Sequence, residues 1–414
     1  MKKRVKYVIL ISELRDYRKG EAQNLNFNLP NEVKICLDTL KKGGVKAYLV
    51  GGCVRDMLME KQPHDYDIAV NASPVTVKAL FCRTIDTGIK HGTVTVLING
   101  LPLEITQMRT DGEYTDHRRP NTVAPASSLE EDLARRDFTV NAMAMDRHGN
   151  ITDIFGGATD LDRKIIRCVG DPNRRFDEDA LRIMRAFRFC SQLEFTLDEE
   201  TLNAALIKAP LLENISAERI FAELKKTLCG ENPAVIAPLF ATNALKKYGI
   251  CGDVDLSMLN SSYNDINVRL AALIIICDSD VISAMKRLKS DNATAKKVCA
   301  LCRLYRENTL FNIDEIGLKR LIFEYGYKIC LLLCKLYGAF GNPIADKAEI
   351  MLETVRFQPI FISDLAIKGR DLLDIGISGE HLGKTLDSLM QKVWENPDLN
   401  ERNTLIDIAK NSVL

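Results

Sequence analysis

The fold is decided by two short stretches, YLVGGCVRD at residues 48–56 and PHDYDIAV at residues 63–70. In the first stretch an apolar run ends at Gly51-Gly52, and an arginine and an aspartate follow. In the second, Asp65 and Asp67 lie within another apolar run. We interpret this order as a strand, a turn whose backbone N–H groups can approach a phosphate, a helix, and a strand that carries two carboxylates. Such an order is suited to holding a nucleoside triphosphate through divalent metal ions.

The composition is typical of a soluble globular protein with several domains. The chain has 414 residues, of which 46% are hydrophobic and 27% are charged, and this length predicts two to four domains. Apolar runs are shorter than the roughly 18 residues that span a membrane, so we expect no membrane association. A formal net charge of zero argues against a generally basic nucleic-acid coat but leaves room for local basic patches. Twelve scattered cysteines are expected to be free thiols, mostly in the core, in a cytoplasmic protein with no obligate protein partner evident.

The periodicity divides the chain into an α+β part and a helical part. Up to about residue 155, a helix over residues 30–42 precedes short apolar runs at residues 47–50, 66–70, 93–98, 103–106 and 139–145, and Asn99-Gly100 predicts a hairpin turn. After Gly170 helical periodicity dominates. Helices are predicted over residues 177–190, 198–207, 216–229, 232–248, 265–277, 280–288, 293–306, 315–338 and 380–395. The prediction is therefore a mixed sheet with helices, followed by an all-helical remainder.

Three carboxylates in the first part are candidates for catalysis. On a strand, Asp65 and Asp67 would point to the same face, about 6.6 Å apart along the chain. Two carboxylates so placed can ligate Mg²⁺, which accepts few protein ligands when substrate phosphates complete its shell. Glu104 follows a hairpin that would lay its strand beside Asp67, so it is the best candidate for a third carboxylate. Its role could be that of a ligand or a base, and a solvated strand residue is the alternative.

Glycine and arginine residues near these carboxylates are suited to a triphosphate. Gly52 allows close backbone approach, and Arg55 adds a cation. Arg136 and Asp137 follow in RRDFTVNA at residues 135–142, where arginine suits phosphate and aspartate suits a ribose hydroxyl. Neither a P-loop nor a Rossmann fingerprint is present, because the Gly-Lys-Ser/Thr triplet and the third glycine are missing. Gly-Gly followed about a dozen residues later by Asp-x-Asp is the layout of the nucleotidyltransferase superfamily.

The helix predicted over residues 177–190 is a candidate for recognition of the base. Polar side chains recur on it at three-residue spacing, beside an apolar ridge: Asp179, Arg182, Arg185 and Arg188. A solvated basic face is the alternative. Asp179 and Arg182, as neighbours, would place acceptors beside donors, which suits cytosine and adenine but sets like groups against guanine and uracil. A buried mismatch costs about 1–3 kcal/mol, so a protein helix could select C and A without a nucleic-acid template.

With these motifs the chain resembles the class II tRNA nucleotidyltransferases, or CCA-adding enzymes, of which bacterial poly(A) polymerases are close relatives. Four stretches carry the resemblance over most of residues 47–190: LVGGCVRD at 49–56, DYD at 65–67, RRDFTVNA at 135–142 and EDALR at 178–182. DLAIKGRDLL at residues 364–373 and NER at residues 400–402 are similar to the C-terminal part of the bacterial enzymes without an HD phosphohydrolase domain.

The resemblance implies a domain order and a set of roles. Residues 1–26 would be an extension, 27–170 a nucleotidyltransferase head, 171–230 a neck, 231–350 a helical body, and 351–414 a tail that binds tRNA. The substrates would be CTP, ATP and the tRNA acceptor arm. Asp65 and Asp67 would bind Mg²⁺. The nucleotide would be contacted by Gly52, Arg55 and Arg136, with Asp179 and Arg182 as the amino-acid template and Arg185 and Arg188 beside it.

Two further features bear on this resemblance. Residues 109–120 are similar to the flexible loop that CC-only enzymes of the family lack, which favours full CCA addition. Glu60 and Glu194 stand where the family often has glycine, which concerns loop geometry rather than chemistry. The alternatives are an A-adding enzyme or a poly(A) polymerase, which a neutral chain without a basic extension disfavours, and a catalytically silent RNA-binding protein, which the intact Asp65–Asp67 pair disfavours.

Overall fold

The computed structural model describes residues 29–89, 92–112, 123–250 and 252–412. The predicted extension over residues 1–26 and residues 113–120 of the predicted loop lie outside these ranges. The chain forms two compact units. The first comprises the residues up to Lys247 together with residues 251–253, and the second comprises residues 248–250 and 254–414. Within the described ranges, no helix is long and apolar enough to cross a membrane.

The first unit is built on a mixed sheet. Its strands are β1 (Ala47–Val50), β2 (Asp67–Val70), β3 (Thr84–Gly88), β4 (Thr93–Ile98), β5 (Leu101–Gln107), β6 (Arg109–Asp111), β7 (Val123–Pro125), β8 (Met143–Met145), β9 (Ile151–Asp153), β10 (Ile165–Ile166) and β11 (Thr196–Leu197). Seven strands form one sheet in the order β3-β4-β5-β2-β1-β8-β9. Strands β2 and β5 run parallel, whereas β2 runs antiparallel to β1. Strand β6 pairs with β7, and β10 with β11.

Helices alternate with the strands along the chain, and after β11 the described part of the chain contains helices but no further strand. The first unit contains α1 (Asn31–Lys42), α2 (Gly52–Leu58), α3 (Pro74–Leu80), α4 (Leu129–Ala134), α5 (Gly157–Asp162), α6 (Pro172–Glu178), α7 (Leu181–Leu193), α8 (Glu199–Lys208), α9 (Ala217–Leu228) and α10 (Ala237–Ala241). Side-chain oxygens of Ser73, Ser128, Asp171 and Asp198 cap four of these helices at their N-termini. The predicted α+β class, with a mixed sheet followed by helices, is thus confirmed.

The predicted hairpin determines which strands become neighbours. Asn99 and Gly100 adopt φ of 50° and 88°, and the register of β4 with β5 closes at Ile98 opposite Leu101. Positive φ at both central residues is what a tight two-residue hairpin requires, and asparagine and glycine tolerate it. The hairpin returns β5 alongside β2, and Asp67 lies opposite Glu104 in that parallel pair. The predicted neighbourhood of these two carboxylates is confirmed.

Three elements predicted up to residue 248 differ from the structure. The helix predicted over residues 232–248 is a 3₁₀ turn (Pro233–Ile236), the short helix α10 and a second 3₁₀ turn (Lys246–Tyr248). The helix predicted over residues 177–190 is interrupted at Asp179, which has φ −144° and ψ 103°. The Asp179 carboxylate accepts a hydrogen bond from Leu181 N, and such short-range side-chain bonds compete with a continuous helix. The strand predicted over residues 139–145 is shorter, since Thr139–Asn141 form a 3₁₀ turn before β8.

Glutamates occupy two backbone positions that favour glycine. Glu60 and Glu194 both have φ of 57°, in the left-handed region. Glu194 is the residue at which α7 ends, where glycine is common because it lacks a Cβ. The chain thus accommodates both glutamates in the left-handed conformation that favours glycine.

The second unit is helical in its described part. Its helices are α11 (Met258–Ser261), α12 (Ile266–Ile276), α13 (Val281–Arg287), α14 (Asn292–Arg306), α15 (Glu315–Tyr325), α16 (Tyr327–Ala339), α17 (Ile344–Val355), α18 (Gly369–Asp374), α19 (Glu380–Glu395) and α20 (Arg402–Ser412). The helix predicted over residues 315–338 is two helices, because Gly326 adopts φ 81° between them. Helices α11, α17, α18 and α20 were not predicted. A fully buried Lys319 donates to the carbonyl of Trp394 at 3.0 Å.

Candidate active site

The strand, turn and helix predicted around Gly51 are present. Strand β1 ends at Val50, Gly51 adopts φ 75°, and α2 begins at Gly52. A Cβ atom on Gly51 would lie 3.1 Å from Nη1 of Arg136 and 3.7 Å from Oδ2 of Asp67. The turn therefore passes between a guanidinium and a carboxylate, and both its conformation and its crowding require glycine.

The carboxylates lie at one edge of β2, but only one of the Asp-x-Asp pair is a strand residue. Asp67 is the first residue of β2, whereas Asp65 lies in the bend before it and is exposed. Burial raises the pKa of Asp67 to about 6, and the negative charges of Asp65 and Glu104 act in the same direction. The positive charge of Arg136 opposes these effects. Three acidic side chains thus share one electrostatic environment, which is favourable for a cation.

Because the ionised form of Asp67 is unfavourable in this environment, we predict that the stability of the folded protein depends on pH. Because the pKa is about 6 in the folded protein against an ordinary 3.8, the folded state holds the proton more tightly, and stability falls as pH rises from about 4 to 6. At pH 7.5 and without divalent metal, we expect Asp67→Asn to be more stable than the wild type by on the order of 2 kcal/mol. Urea unfolding at pH 7.5 and pH 4, in EDTA, measures this difference. An advantage of the same size at both pH values would contradict it.

Arg136 is held in place by a buried carboxylate. Its Nη2 donates to Oδ2 of Asp132 at 3.0 Å, and Asp132 is 1% exposed. The Nε atom of Arg136 is buried and has no hydrogen-bond partner among the described residues. The Arg136 side chain also lines the cavity described below, where an oxyanion could bind its guanidinium.

A cavity of about 430 Å³ brings most of the predicted site together. Asp67 and Glu104 line it, together with the arginines and aspartates that follow later in the chain. The lining is completed by Val50, Ile68, Ala69, Thr106, Asp132, Arg135, Arg136, Asp137, Asp179, Leu181, Arg182, Arg185 and Arg219. Seven of the residues predicted from sequence therefore face one concave, highly charged space, whose volume is within the range of small-molecule sites.

Asp137 lines the cavity and binds another residue that lines it, Arg185. Its carboxylate binds the guanidinium of Arg185, accepts from Phe138 N at 2.9 Å, and is 9% exposed. Burial alone would raise its pKa, but the charge and hydrogen bonds of Arg185 outweigh burial and hold the pKa at about 2. Asp137 is thus ionised, and in the structure it orients Arg185.

Asp179 and Arg182 are joined by a backbone hydrogen bond, in which Arg182 N donates to the carbonyl of Asp179 at 2.9 Å, but their side chains bind different partners. The Asp179 carboxylate accepts from Nη2 of Arg219 at 2.9 Å. Nη1 of Arg182 instead donates to Glu178 at 2.5 Å, and its Nη2 donates to the carbonyl of Arg135 at 3.2 Å. Both side chains line the cavity, so they share a surface as predicted, but each is held by a different neighbour. The helix is interrupted at Asp179, so the two side chains do not project from one continuous helix as predicted.

Four candidates are not among the residues that line the cavity: Asp65, Gly52, Arg55 and Arg188. Arg55 is 9% exposed, donates to Asn141 at 2.7 Å and to Asp56, and stacks 5.4 Å from the ring centre of Phe189. Arg188 is also buried, and it faces Glu223 at 3.2 Å. Gly52 is the first residue of α2, next to the guanidinium of Arg55. Their roles in nucleotide binding stay predictions.

Two charged residues that line the cavity, Asp132 and Arg219, and one partner of a lining residue, Glu178, were not singled out from sequence. Asp132 precedes Arg135 and Arg136 by three and four positions, a helical spacing that signals ion pairs and could have identified it. Glu178 precedes Arg182 by four positions in the same way. Arg219 is 40 positions from its partner Asp179, and the local sequence of α9 carries no signal for that pairing.

The carboxylates do not by themselves complete a metal site. Within the described ranges, no group of three or more histidine, cysteine or acidic side chains is arranged to hold a metal ion. Two carboxylates that share an environment still fit Mg²⁺, which takes few protein oxygens and completes its shell with water and phosphates. The predicted sparse site is compatible with this donor set.

Family models match the chain in three consecutive parts. The poly(A) polymerase head domain matches residues 47–167. A model described as a probable RNA and SrmB binding site of polymerase A matches residues 194–247. A putative tRNA nucleotidyltransferase domain 2 matches residues 262–409. Together they cover most of the chain. The cavity draws its residues from the first match, from the segment between the first two matches and, through Arg219, from the second match.

Several proteins that are similar to this chain are named CCA-adding enzymes. The CCA-adding enzyme of Lactobacillus helveticus is 39% identical over 86% of this chain and 91% of its own length, and that of Enterococcus faecalis is 37% identical over 92% and 97%. The crystal structure of the Bacillus stearothermophilus CCA-adding enzyme in complex with CTP has 32% identity and a TM-score of 0.76, and covers 92% of this chain and 96% of that one. The Thermotoga maritima enzyme, at 19% identity and a TM-score of 0.65, shares the fold. This chain therefore belongs to the CCA-adding enzymes, a family of tRNA nucleotidyltransferases.

Proposed function

We propose that this chain adds C, C and A to the 3′ end of tRNA, using CTP and ATP and no nucleic-acid template. The observation that carries the proposal is the single cavity in which Asp67 and Glu104 face the same space as Arg136, Asp179 and Arg182. Acidic groups for metal-assisted phosphoryl transfer and donor–acceptor groups for a base thus share one site. The names of the relatives, and the CTP and tRNA complexes of similar enzymes, agree with it.

The chemistry would be assigned to the acidic edge of the cavity, which is formed by Asp67 and Glu104. Asp65 and Asp67 would hold Mg²⁺, which neutralises phosphate charge and lowers the pKa of an attacking hydroxyl when it is bound. Glu104, opposite Asp67 in the sheet, is placed to accept that proton or to fix the acidic edge. Arg136, whose side chain lines the cavity beside Asp67, would bind a phosphate oxygen. These groups act on the triphosphate, which CTP and ATP have in common, and so contribute nothing to base choice.

Base choice would be assigned to Asp179 and Arg182. Arg219 and Leu181 N use two acceptor positions of the Asp179 carboxylate, and an ionised carboxylate offers about four. Acceptor capacity therefore remains for the amino group of cytosine or adenine. Arg182 is held by Glu178 and by backbone carbonyls, so its guanidinium plane has a defined orientation before a nucleotide binds. Arg185 and Arg188 would support this surface.

The domain roles complete the proposal. Residues 27–170 would form the catalytic head, residues 171–230 the neck that selects the base, residues 231–350 the body and residues 351–414 the tail that binds tRNA. The tail segment has its own apolar core, which includes Leu365, Leu372, Leu389 and Trp394. This cluster also packs against Ile316, and Lys319 donates to the carbonyl of Trp394, so the tail is anchored to α15. A helical tail anchored in this way is suited to holding a large rigid RNA while the head carries out the reaction.

A primer-extension experiment tests the proposed function. tRNA transcripts that end before CCA, after C and after CC are offered each nucleoside triphosphate separately and then CTP with ATP. We expect CTP to extend the first two transcripts only as far as CC, and ATP to extend the CC transcript by one residue. A complete CCA end, which serves as the control, is expected to remain unextended. Extension of the CC transcript alone would establish an A-adding enzyme, and a long A tract would establish a poly(A) polymerase.

A further inference from the structure

A single buried carboxylate joins the base of the 109–112 segment to the arginines of the cavity. Oδ1 of Asp132 accepts from Arg109 N at 3.3 Å and from Nη2 of Arg135 at 2.7 Å. Its Oδ2 accepts from Nη2 of Arg136 at 3.0 Å. Nε of Arg135 reaches back to the carbonyl of Arg109 at 3.0 Å. With 1% exposure, Asp132 makes these contacts out of water, where each is strong and the loss of one leaves a cost.

We propose that Asp132 is a positioning residue for the triphosphate: it orients the Arg136 guanidinium and anchors the strand pair β6–β7 to the nucleotide cavity. This proposal rests on the proposed function and deepens it. The anchor is one carboxylate with two faces, of which one holds Arg109 and Arg135 and the other holds Arg136. Any shift of the Arg109 backbone is therefore transmitted to Arg136 through a single rigid group.

The geometry separates this role from base recognition. Arg136 lies beside Gly51 and Asp67, at the acidic edge of the cavity. The Asp179 and Arg182 side chains are held by Arg219 and Glu178, and Arg182 also donates to the backbone carbonyl of Arg135. The Asp132 carboxylate itself binds Arg109, Arg135 and Arg136. Loss of the Asp132 charge should therefore weaken CTP and ATP alike, since both carry the same triphosphate. A contribution to base choice would instead affect the two nucleotides differently.

Asp132→Asn tests the proposal, because asparagine keeps the volume but offers only one acceptor oxygen for the two faces. We expect KM and the equilibrium Kd for CTP and ATP to rise together by roughly 10- to 100-fold, the loss expected for one charge-assisted contact. The kcat value is expected to change by less than about threefold, as for removal of uniform binding. Asp160→Asn is the matched control, since Asp160 is a buried head carboxylate paired with Arg167 and Thr139.

A double-mutant cycle distinguishes positioning from general structural support. If Asp132 acts through Arg136, the Asp132→Asn change should cost less than about twofold in Kd when Arg136→Gln is already present. Full additivity, or an equal effect of Asp160→Asn, would overturn the proposal. Nucleotide Kd is measured without tRNA, so a failure of CCA addition in the wild type would be seen separately from a failure of this proposal.

A measurement on the unaltered protein covers the case in which Asp132→Asn does not fold. Hydrogen exchange of the Arg109 amide, which donates to Asp132, is compared with and without saturating ATP. We expect ATP to slow this exchange at least severalfold, while the Leu97 amide, which donates to Arg83 at the far side of the sheet, is unchanged. Equal exchange of Arg109 in both conditions would refute the anchor.

Discussion

Asp67→Asn is expected to lower the rate of nucleotide addition by ~10³-fold or more while tRNA binding stays close to that of the wild type. A bound metal contributes several kcal/mol to the transition state, and each 1.36 kcal/mol corresponds to a tenfold rate. Asparagine has the shape of aspartate but lacks the charge that a divalent cation requires. Single-turnover addition of ATP to a CC-ending transcript, together with a filter-binding titration of the same RNA, measures both quantities.

Stability cannot account for the expected loss of activity. Burial and the charges of Asp65 and Glu104 raise the pKa of Asp67 to about 6, so removal of its charge should stabilise the metal-free protein at neutral pH. Asp86→Asn is the matched control, because Asp86 lies on β3 of the same sheet and pairs with Lys78 at 2.8 Å. The control should retain at least half of the rate. Turnover by Asp67→Asn within tenfold of the wild type would disprove the assignment of Asp67 as a metal ligand.

Arg182→Ala is expected to relax base choice by roughly 10- to 100-fold and to change triphosphate binding much less. The reason is that a mismatched buried donor or acceptor costs about 1–3 kcal/mol, and this cost disappears when the guanidinium is removed. Ratios of kcat/KM for C and A against U and G, on transcripts ending before C and after CC, measure the effect. The Arg136→Gln variant, by contrast, should weaken all four nucleotides together.

The Arg182 experiment needs a control for the loss of a partly buried arginine. Arg167→Ala serves this purpose, since Arg167 pairs with Asp160 and Asp198 and is absent from the residues that line the cavity. Arg182→Ala also removes a partner of Glu178, but Arg175 continues to bind that carboxylate at 2.9 Å. A moderate loss of stability is therefore expected, and unfolding curves quantify it. Wild-type selectivity in a folded Arg182→Ala variant would refute the template role.

Local signals predicted the elements around the acidic edge because those elements are governed by short-range rules. Asn99-Gly100 determined the hairpin, and the hairpin placed Glu104 opposite Asp67. Gly51-Gly52 predicted the turn, which has φ 75° at Gly51. By contrast, the helix predicted through Asp179 is interrupted, since the Asp179 side chain bonds to Leu181 N, which periodicity of apolar residues does not report. The break at Gly326 was likewise not visible in the sequence pattern, because the apolar periodicity continues across it.

The sequence by itself determined the α+β class, the strand–turn–helix at Gly51, the acidic edge and the family of tRNA nucleotidyltransferases. Each of these depends on residues that are near in sequence, or on motifs whose spacing is preserved. Only the tertiary structure decided that Asp179 is held by Arg219, that Arg182 is held by Glu178, and that Asp132 joins the Arg109 backbone to Arg136. The long side chain of an arginine can reach several carboxylates. The one that it binds depends on how elements that are distant in sequence pack together.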